Sequence, residues 1–302
     1  SYRVLSAHRR SERVFMSWRV VVITRRCKLE YKLGYLVCRG EDVKKVYLSE
    51  IDTLLVESTG VSMTAALLCE LVKNKVSVIF CDEKHNPISQ LLAFNGRHDA
   101  SGCLKRQLGW EEQTKDAVWA EIVRLKIVRQ KALLQQIAAD QAGMLAKYVA
   151  EVQPGDVTNR EGHAAKVYFN ALFGLSFKRG DKTFLNGALN YGYAVILSAF
   201  NREIVANGMN TQLGIAHKNE FNAFNFSCDL MEPFRILVDR FVFQTGQELT
   251  PDYKHALCNI LNERVRIGRE TCTVLSAIGV YCKSVLEALD TNDVGKIRCY
   301  EL

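Results

Sequence analysis

The chain has 302 residues, 48% apolar and 24% charged, a balance that belongs to a globular protein with a real core and excludes a disordered or low-complexity polymer. No apolar run approaches the roughly 18 to 20 residues that cross a bilayer, and the Arg-rich start lacks a secretory h-region, so a cytoplasmic protein with no membrane partner is expected. Of the net charge of +7, residues 1–15 carry +3 (Arg3, Arg9, Arg10 and Arg13 against Glu12), and the remaining +4 does not by itself specify a polyanionic partner.

Met16 opens MSWRVVVI and reads as a natural start, which makes residues 1–15 an upstream extension. From Trp18 to about Asp82 the pattern favours strands: VVVI, an alternating run over 29–36, VYL, DTLLVES and VSVIF. Between the last two, TAALLCELVKN at 64–74 reads as a short helix. This strand, helix, strand order carries no GxGxxG and no GxxxxGK[ST], so a structural sheet is preferred to a nucleotide-binding unit.

After Gly109 the texture becomes helical, with apolar residues at spacings of three and four through WEEQTKDAVWAEIVRLKIVRQKALLQQIAADQ. QPGDVTN at 153–159 is a loop, and further helical segments are expected near 161–173, 187–207, 233–243 and 253–289. The fold expected is α+β: a β-rich, sandwich-like N-terminal domain over 16–85, a linker over 86–108, and a larger all-α domain over 109–302. The ten cysteines are scattered with no CxxC pair, which argues for small core residues and against a zinc ribbon.

Three stretches carry ionisable residues where packing alone does not ask for them. In NREGHAAKVYFNALFG, residues 159–174, a helix places Glu161 on one stripe with Ala165, Tyr168 and Leu172, where an ionised carboxylate needs a partner. In the first helical turn Glu161 also complements the helix dipole, and both readings stand. In GIAHKNEFNAFN, residues 214–225, helix breakers and polar residues surround His217, leaving it able to project from a loop. In CDLMEPFR, residues 228–235, Asp229 and Glu232 stand three apart before Pro233.

A capping box explains that last pair badly, because Pro233 would then fall where the first intrahelical N–H is needed. With Pro233 opening the next helix Glu232 becomes the cap, a role that Ser, Thr, Asp and Asn fill better, which leaves one or both carboxylates for chemistry. Glu161, His217 and Glu232 together offer hard oxygens and one imidazole, a set suited to Mg²⁺ or Mn²⁺. His163 points around the helix from Glu161, and His85 and His98 fall in the expected interdomain stretch. No GxSxG elbow suggests covalent catalysis.

These motifs, in this order, resemble the CRISPR-associated spacer-acquisition integrase family, the first of the two proteins shared by most CRISPR adaptation systems, in a form like that of type II systems. The resemblance runs from MSWRVVVI through LSEIDTLLVES, VSVIFCDEKHNPI, FNGRHD, NREGHAAKVYF and LNYGYAVILSAFNREI to CDLMEPFR. It implies a β-sandwich followed by a helical catalytic domain and a divalent metal held by Glu161, His217 and Glu232. Asp229 is either a further ligand or a support for one.

The resemblance also implies a prokaryotic homodimer that binds double-stranded DNA and joins a small ferredoxin-like adaptation partner in a heterohexamer, in contact with other type II CRISPR proteins. The activity implied is joining DNA 3′-OH ends to a CRISPR repeat by transesterification, together with cutting or resolving branched DNA. A structure-selective nuclease and a non-catalytic DNA-binding scaffold are the alternatives. Arg160, Arg202, Lys218 and Arg235 flank the motifs and are candidate phosphate contacts.

Overall fold

The computed structural model describes residues 2–5, 19–94, 97–137, 139–246 and 250–301. Residues 16–18 of MSWRVVVI, Asn95 and Gly96 of FNGRHD and most of the expected extension over 1–15 lie outside the described residues. The chain divides into two compact units, residues 1–94 with 258–263, and residues 95–257 with 264–302.

The first unit contains strands β1 (Tyr2–Leu5), β2 (Arg19–Ile23), β3 (Lys28–Lys32), β4 (Tyr35–Arg39), β5 (Val43–Tyr47), β6 (Ile51–Val56) and β7 (Ser62–Met63), then helix α1 (Ala65–Lys73), β8 (Ser77–Cys81) and β9 (Pro87–Leu91). They form a five-stranded sheet in the order β1-β2-β6-β8-β9 and a four-stranded sheet in the order β5-β4-β3-β7. The two sheets share one core, in which Val21, Ile23 and Leu54 meet Leu29, Leu36 and Val46. The strand-rich unit is thus sandwich-like, as expected.

Strands β2, β6 and β8 run parallel, and α1 makes the crossover between the last two. Strand β6 is buried along its whole length and shows no polar alternation: Ile51, Leu54, Leu55 and Val56 are apolar, and Asp52 and Thr53 are buried with them. Thr64 caps α1 by accepting the Leu67 N–H, one residue inside the expected start.

Two boundaries differ from expectation. Residues 2–5, expected to stand outside the domain, pair antiparallel with β2 across four positions. The stretch 86–108 is not a linker: β9 pairs with β8, and α2 (Ala100–Leu108) belongs to the second unit.

The second unit continues with α3 (Glu112–Leu134), α4 (Ala139–Glu151), α5 (Arg160–Phe173), α6 (Phe184–Ala206), α7 (Asn225–Met231), α8 (Arg235–Thr245), α9 (Pro251–Cys258), β10 (Arg264–Ile267), β11 (Glu270–Thr273) and α10 (Val274–Thr291). Helix α3 runs through its middle, packing on α4, α5, α8 and α10. Helix α6 packs on α7, α8 and α10. At Gly192 of α6 a Cβ would stand 2.5 Å from Val238 Cγ1, so only glycine allows α6 and α8 to come this close.

The segment expected to be helical over 253–289 is interrupted. RVRI and ETCT pair as an antiparallel hairpin around Gly268, whose φ of +59° fits a tight turn. The alternation of Val and Ile with Arg is a strand period, and the two-residue loop between Ile267 and Glu270 is the hairpin signal.

Candidate functional site

Glu161 is fixed by the turn before its helix. The 3₁₀ turn Pro154–Asp156 leaves Asp156 buried, and its two carboxylate oxygens accept the N–H groups of Arg160 and Glu161, each at 2.9 Å. Asn159, in the left-handed region at φ 52°, accepts the Gly162 N–H at 3.2 Å. Three of the donors left over at the start of α5 are therefore capped by side chains. The Glu161 side chain stays 30% exposed and turns toward α3.

Glu232 arrives along a different path from the one expected. Residues 225–231 are already helical, and Glu232–Phe234 form a 3₁₀ turn that passes directly into α8, so no irregular loop precedes Pro233. Proline has no N–H to give to an α-helical ladder, and the chain tightens through it without stopping. Glu232 ends up 5% exposed at this junction.

Lys126, on α3, links the two acids. Its ammonium donates to Glu161 Oε1 and, at 2.5 Å, to Glu232 Oε2, while Arg235 Nε donates to the other Glu232 oxygen at 2.9 Å. Burial alone pushes the Glu232 carboxyl upward, but Arg235 and Lys126 beside it prevail and hold it down at about 2. The same pairing, against the penalty of burial, holds the Lys126 ammonium above its ordinary range.

Asp229 is fully buried and serves His217. Its carboxylate accepts the N–H groups of Ile215 at 2.7 Å, Ala216 at 3.1 Å and His217 at 3.0 Å, and it meets His217 Nδ1 at 2.5 Å. The loop can wrap this carboxylate because residue 214 is glycine: a Cβ there would stand 2.4 Å from the His217 carbonyl oxygen and 2.8 Å from Asp229 Oδ2. The hydrogen bond that the ring donates to Asp229 raises the imidazole above its ordinary value. With Nδ1 held by Asp229 and the ring edge-on to Trp119, Nε2 is the nitrogen left to face a substrate or an ion.

A cavity of about 200 Å³ opens on the two glutamates, lined by Lys126, Gln130, Glu161, Glu232, Arg235 and Asp239 among others, and His217 and Asp229 are not in its wall. Gln130 Oε1 is buried and finds no hydrogen-bond partner among the described residues. Asp239 is buried at the cavity wall and accepts the hydroxyls of Tyr168, at 3.1 Å, and Tyr193. Burial outweighs these donors and raises its carboxyl to about 6.

The structure thus brings Glu161 and Glu232 to one ammonium and couples His217 to Glu232 electrostatically. Among the described residues no three His, Cys, Asp or Glu side chains are close enough together to hold a metal ion, since Lys126 lies between the two glutamates. The donors nevertheless suit a hard divalent cation: two carboxylates already share a cation, one is held ionised, and an amide oxygen of the same cavity has no partner.

The four flanking cations fare differently. Arg235 lines the cavity, Arg160 pairs with Glu151 at 3.2 Å over the Tyr148 ring, and exposed Lys218 lies 3.7 Å from Glu112. Arg202 is mostly buried, pairs with Glu203 at 2.8 Å and does not line the cavity. His163 is exposed beside Tyr148 and does not line it either. Sequence reasoning missed Lys126, Gln130 and Asp156. Lys126 and Gln130 interrupt an apolar stripe of α3 as Glu161 does on α5, which is the signal that would have found them.

Residues 20–255 match the family described as CRISPR associated protein Cas1. The CRISPR-associated endonuclease Cas1 of Neisseria meningitidis serogroup C (strain 8013) is 33% identical over 295 residues, covering 95% of this chain and 97% of that protein. The fold is similar to a casposase solved bound to its integration product, with a TM-score of 0.74 at 16% identity over 90% of this chain and 91% of that one. It is also similar to a chain of a Cas6-RT-Cas1–Cas2 complex, with a TM-score of 0.71 at 17% identity over 92% of this chain and 35% of that longer one. The chain belongs to the Cas1 family of CRISPR-associated endonucleases.

Proposed function

We propose that this Cas1 protein is an integrase, joining the 3′-OH ends of short foreign DNA to a CRISPR repeat by transesterification, with Mg²⁺ or Mn²⁺ held by Glu161, His217 and Glu232. The observation that carries the reading is the sharing of one buried cation by Glu161 of α5 and Glu232 of the turn before α8, with His217 held by Asp229 close enough to act electrostatically on Glu232. The two acids would give up the Lys126 ammonium that they now share in order to hold, with His217, the divalent ion. When bound, it supplies Lewis-acid stabilisation of charge on a phosphate oxygen and on the leaving oxygen.

The chain's own residues supply the rest. Arg235 and Lys126 line the cavity as cations for the phosphate, and Arg235 keeps Glu232 ionised. Asp229 fixes His217 through Nδ1, which would leave Nε2 to serve as a ligand or as a proton donor to the leaving 3′ oxygen. In the transfer a 3′-hydroxyl gives up its proton as its oxygen bonds to phosphorus, the bond to the old 3′ oxygen breaks, and that oxygen takes up a proton. Water in place of the 3′-hydroxyl gives hydrolysis of branched DNA at the same site.

DNA, a second copy of this chain and a small ferredoxin-like adaptation partner complete the proposed assembly, a heterohexamer in a prokaryotic cytoplasm. The solved Cas1–Cas2 complex and the casposase bound to its product support the partner and the transfer reaction. The test is to supply labelled donor DNA ending in 3′-OH or in 3′-deoxy, with a repeat-bearing target, in Mn²⁺, Mg²⁺ or chelator. New 3′ joints that need both the hydroxyl and the metal are expected. Cleavage that ignores the donor end would establish the nuclease instead, and joints formed in chelator would overturn the metal.

A further inference from the structure

The turn carrying Glu232 is held by groups far away in the sequence. Tyr300, with 0% exposure, donates its hydroxyl to the Pro233 carbonyl at 2.8 Å, and its ring lies 4.7 Å from that of Phe234. Arg129 grips Tyr300 in turn, donating to its carbonyl oxygen and lying 4.6 Å over its ring. Arg129 is itself tied to its own helix through the Leu125 carbonyl at 2.8 Å.

The segment is pinned on both sides of Tyr300, by the Arg298 N–H on Ser284 Oγ at 3.0 Å and by the Glu301 N–H on the Arg266 carbonyl at 2.7 Å. Burial pushes the Tyr300 phenol well above its ordinary range, so it remains a hydrogen-bond donor at any working pH. Helix α3 therefore reaches the 232–234 turn twice, directly through Lys126 to the Glu232 carboxylate and, one helical turn later, through Arg129 and Tyr300 to the Pro233 carbonyl.

We infer that Tyr300, clamped by Arg129, is a positioning residue that sets the Glu232 carboxylate for the metal and the DNA. It lies beyond residues 20–255, the stretch that matches the family. The physical reason is the missing N–H of Pro233: the turn has one fewer ladder bond to fix it, and a carboxylate that must meet an ion within a few tenths of an ångström needs its backbone held. The inference rests on the proposed role of Glu232.

The test uses the full chain as wild type, Tyr300→Phe, Tyr281→Phe and Glu232→Gln. Tyr281 is buried nearby with a hydroxyl that meets no acceptor among the described residues, so its removal controls for the loss of a buried phenol oxygen. Mn²⁺ binding is measured by calorimetry without DNA, and strand transfer is resolved into kcat and KM, well below the unfolding temperature of each variant.

Tyr300→Phe is expected to weaken Mn²⁺ binding and lower kcat about 10-fold each, with KM for DNA unchanged, while Tyr281→Phe moves neither. Wild-type Mn²⁺ affinity and kcat in Tyr300→Phe would overturn the inference. So would equal losses in Tyr281→Phe. Mn²⁺ binding that survives in Glu232→Gln would overturn the underlying assignment of Glu232, and this inference with it.

Discussion

Strands β2 and β6 bury Val21, Ile23, Leu54 and Val56 in the core their sheet shares with the β3–β5 sheet, whereas helices α3, α7 and α8 bury Arg129, Asp229 and Asp239, with Glu232 at the junction before α8. The first set gains from leaving water and needs only volume and period to be right. The second set loses hydration and is tolerable only because each group meets a partner: Asp229 takes three backbone N–H groups and an imidazole, Asp239 two phenols, and Glu232 two cations. The strand-rich unit is built for stability, and the helical unit gives up part of its stability to hold charge in place.

Substitutions in the two regions should therefore separate stability from activity. Glu232→Ala carries the largest expected effect, because it removes a buried ionised acid, takes the carboxylate from Arg235 and leaves Lys126 with one of its two carboxylates. Strand transfer should be lost, and the metal-free protein should be less stable by about 3–5 kcal/mol in denaturant unfolding. Leu54→Ala in the sandwich core should cost a comparable amount, about 2–5 kcal/mol, yet leave kcat of the folded fraction unchanged. A fall in kcat at that position would erase the contrast between the two regions.

Asp229→Asn keeps the shape but cannot supply a full carboxylate to three N–H groups and His217. Activity should fall roughly 10- to 100-fold, with a smaller loss of stability than in Glu232→Ala. A pH effect is expected at Asp239. Its folded carboxyl titrates near 6 against an ordinary 3.8, so the folded state binds the extra proton between those values. Its contribution to stability is whole below about 4 and is lost as pH rises through 6, by up to about 1.4 kcal/mol per pH unit. Asp239→Asn should flatten the stability profile in that window, and an unchanged slope would show that Asp239 does not titrate there.

Much of this was legible in the residues. Apolar runs and alternation located β2, β5, β6 and β8 and covered β3 and β4 as one run, the Thr64 cap located α1 within a residue, and misplaced charges pointed to Glu161, Asp229 and Glu232. What escaped depends on distance in space. Lys126 sits in no motif, and only the packing of α3 against the turns carrying the acids shows why a lysine interrupts its apolar stripe.

Pro233 was read as a helix start after a loop, but helical residues run up to it, because a 3₁₀ turn accommodates a missing N–H. The β10–β11 hairpin was overlooked because apolar residues on both sides fit a helical period, although RVRIG alternates. The role of Tyr300 could not be read from its neighbourhood in sequence, since its hydroxyl acts 67 residues away.

The most direct test of one shared site is strand transfer by Glu161→Ala, His217→Ala and Glu232→Ala, each shown to be folded, on labelled DNA in Mn²⁺. Loss of metal-dependent joining in all three is the predicted result, because the two acids and the imidazole serve one reacting phosphate. Wild-type joining by any one of them would contradict the account, and would remove that residue from the centre that Lys126 now bridges.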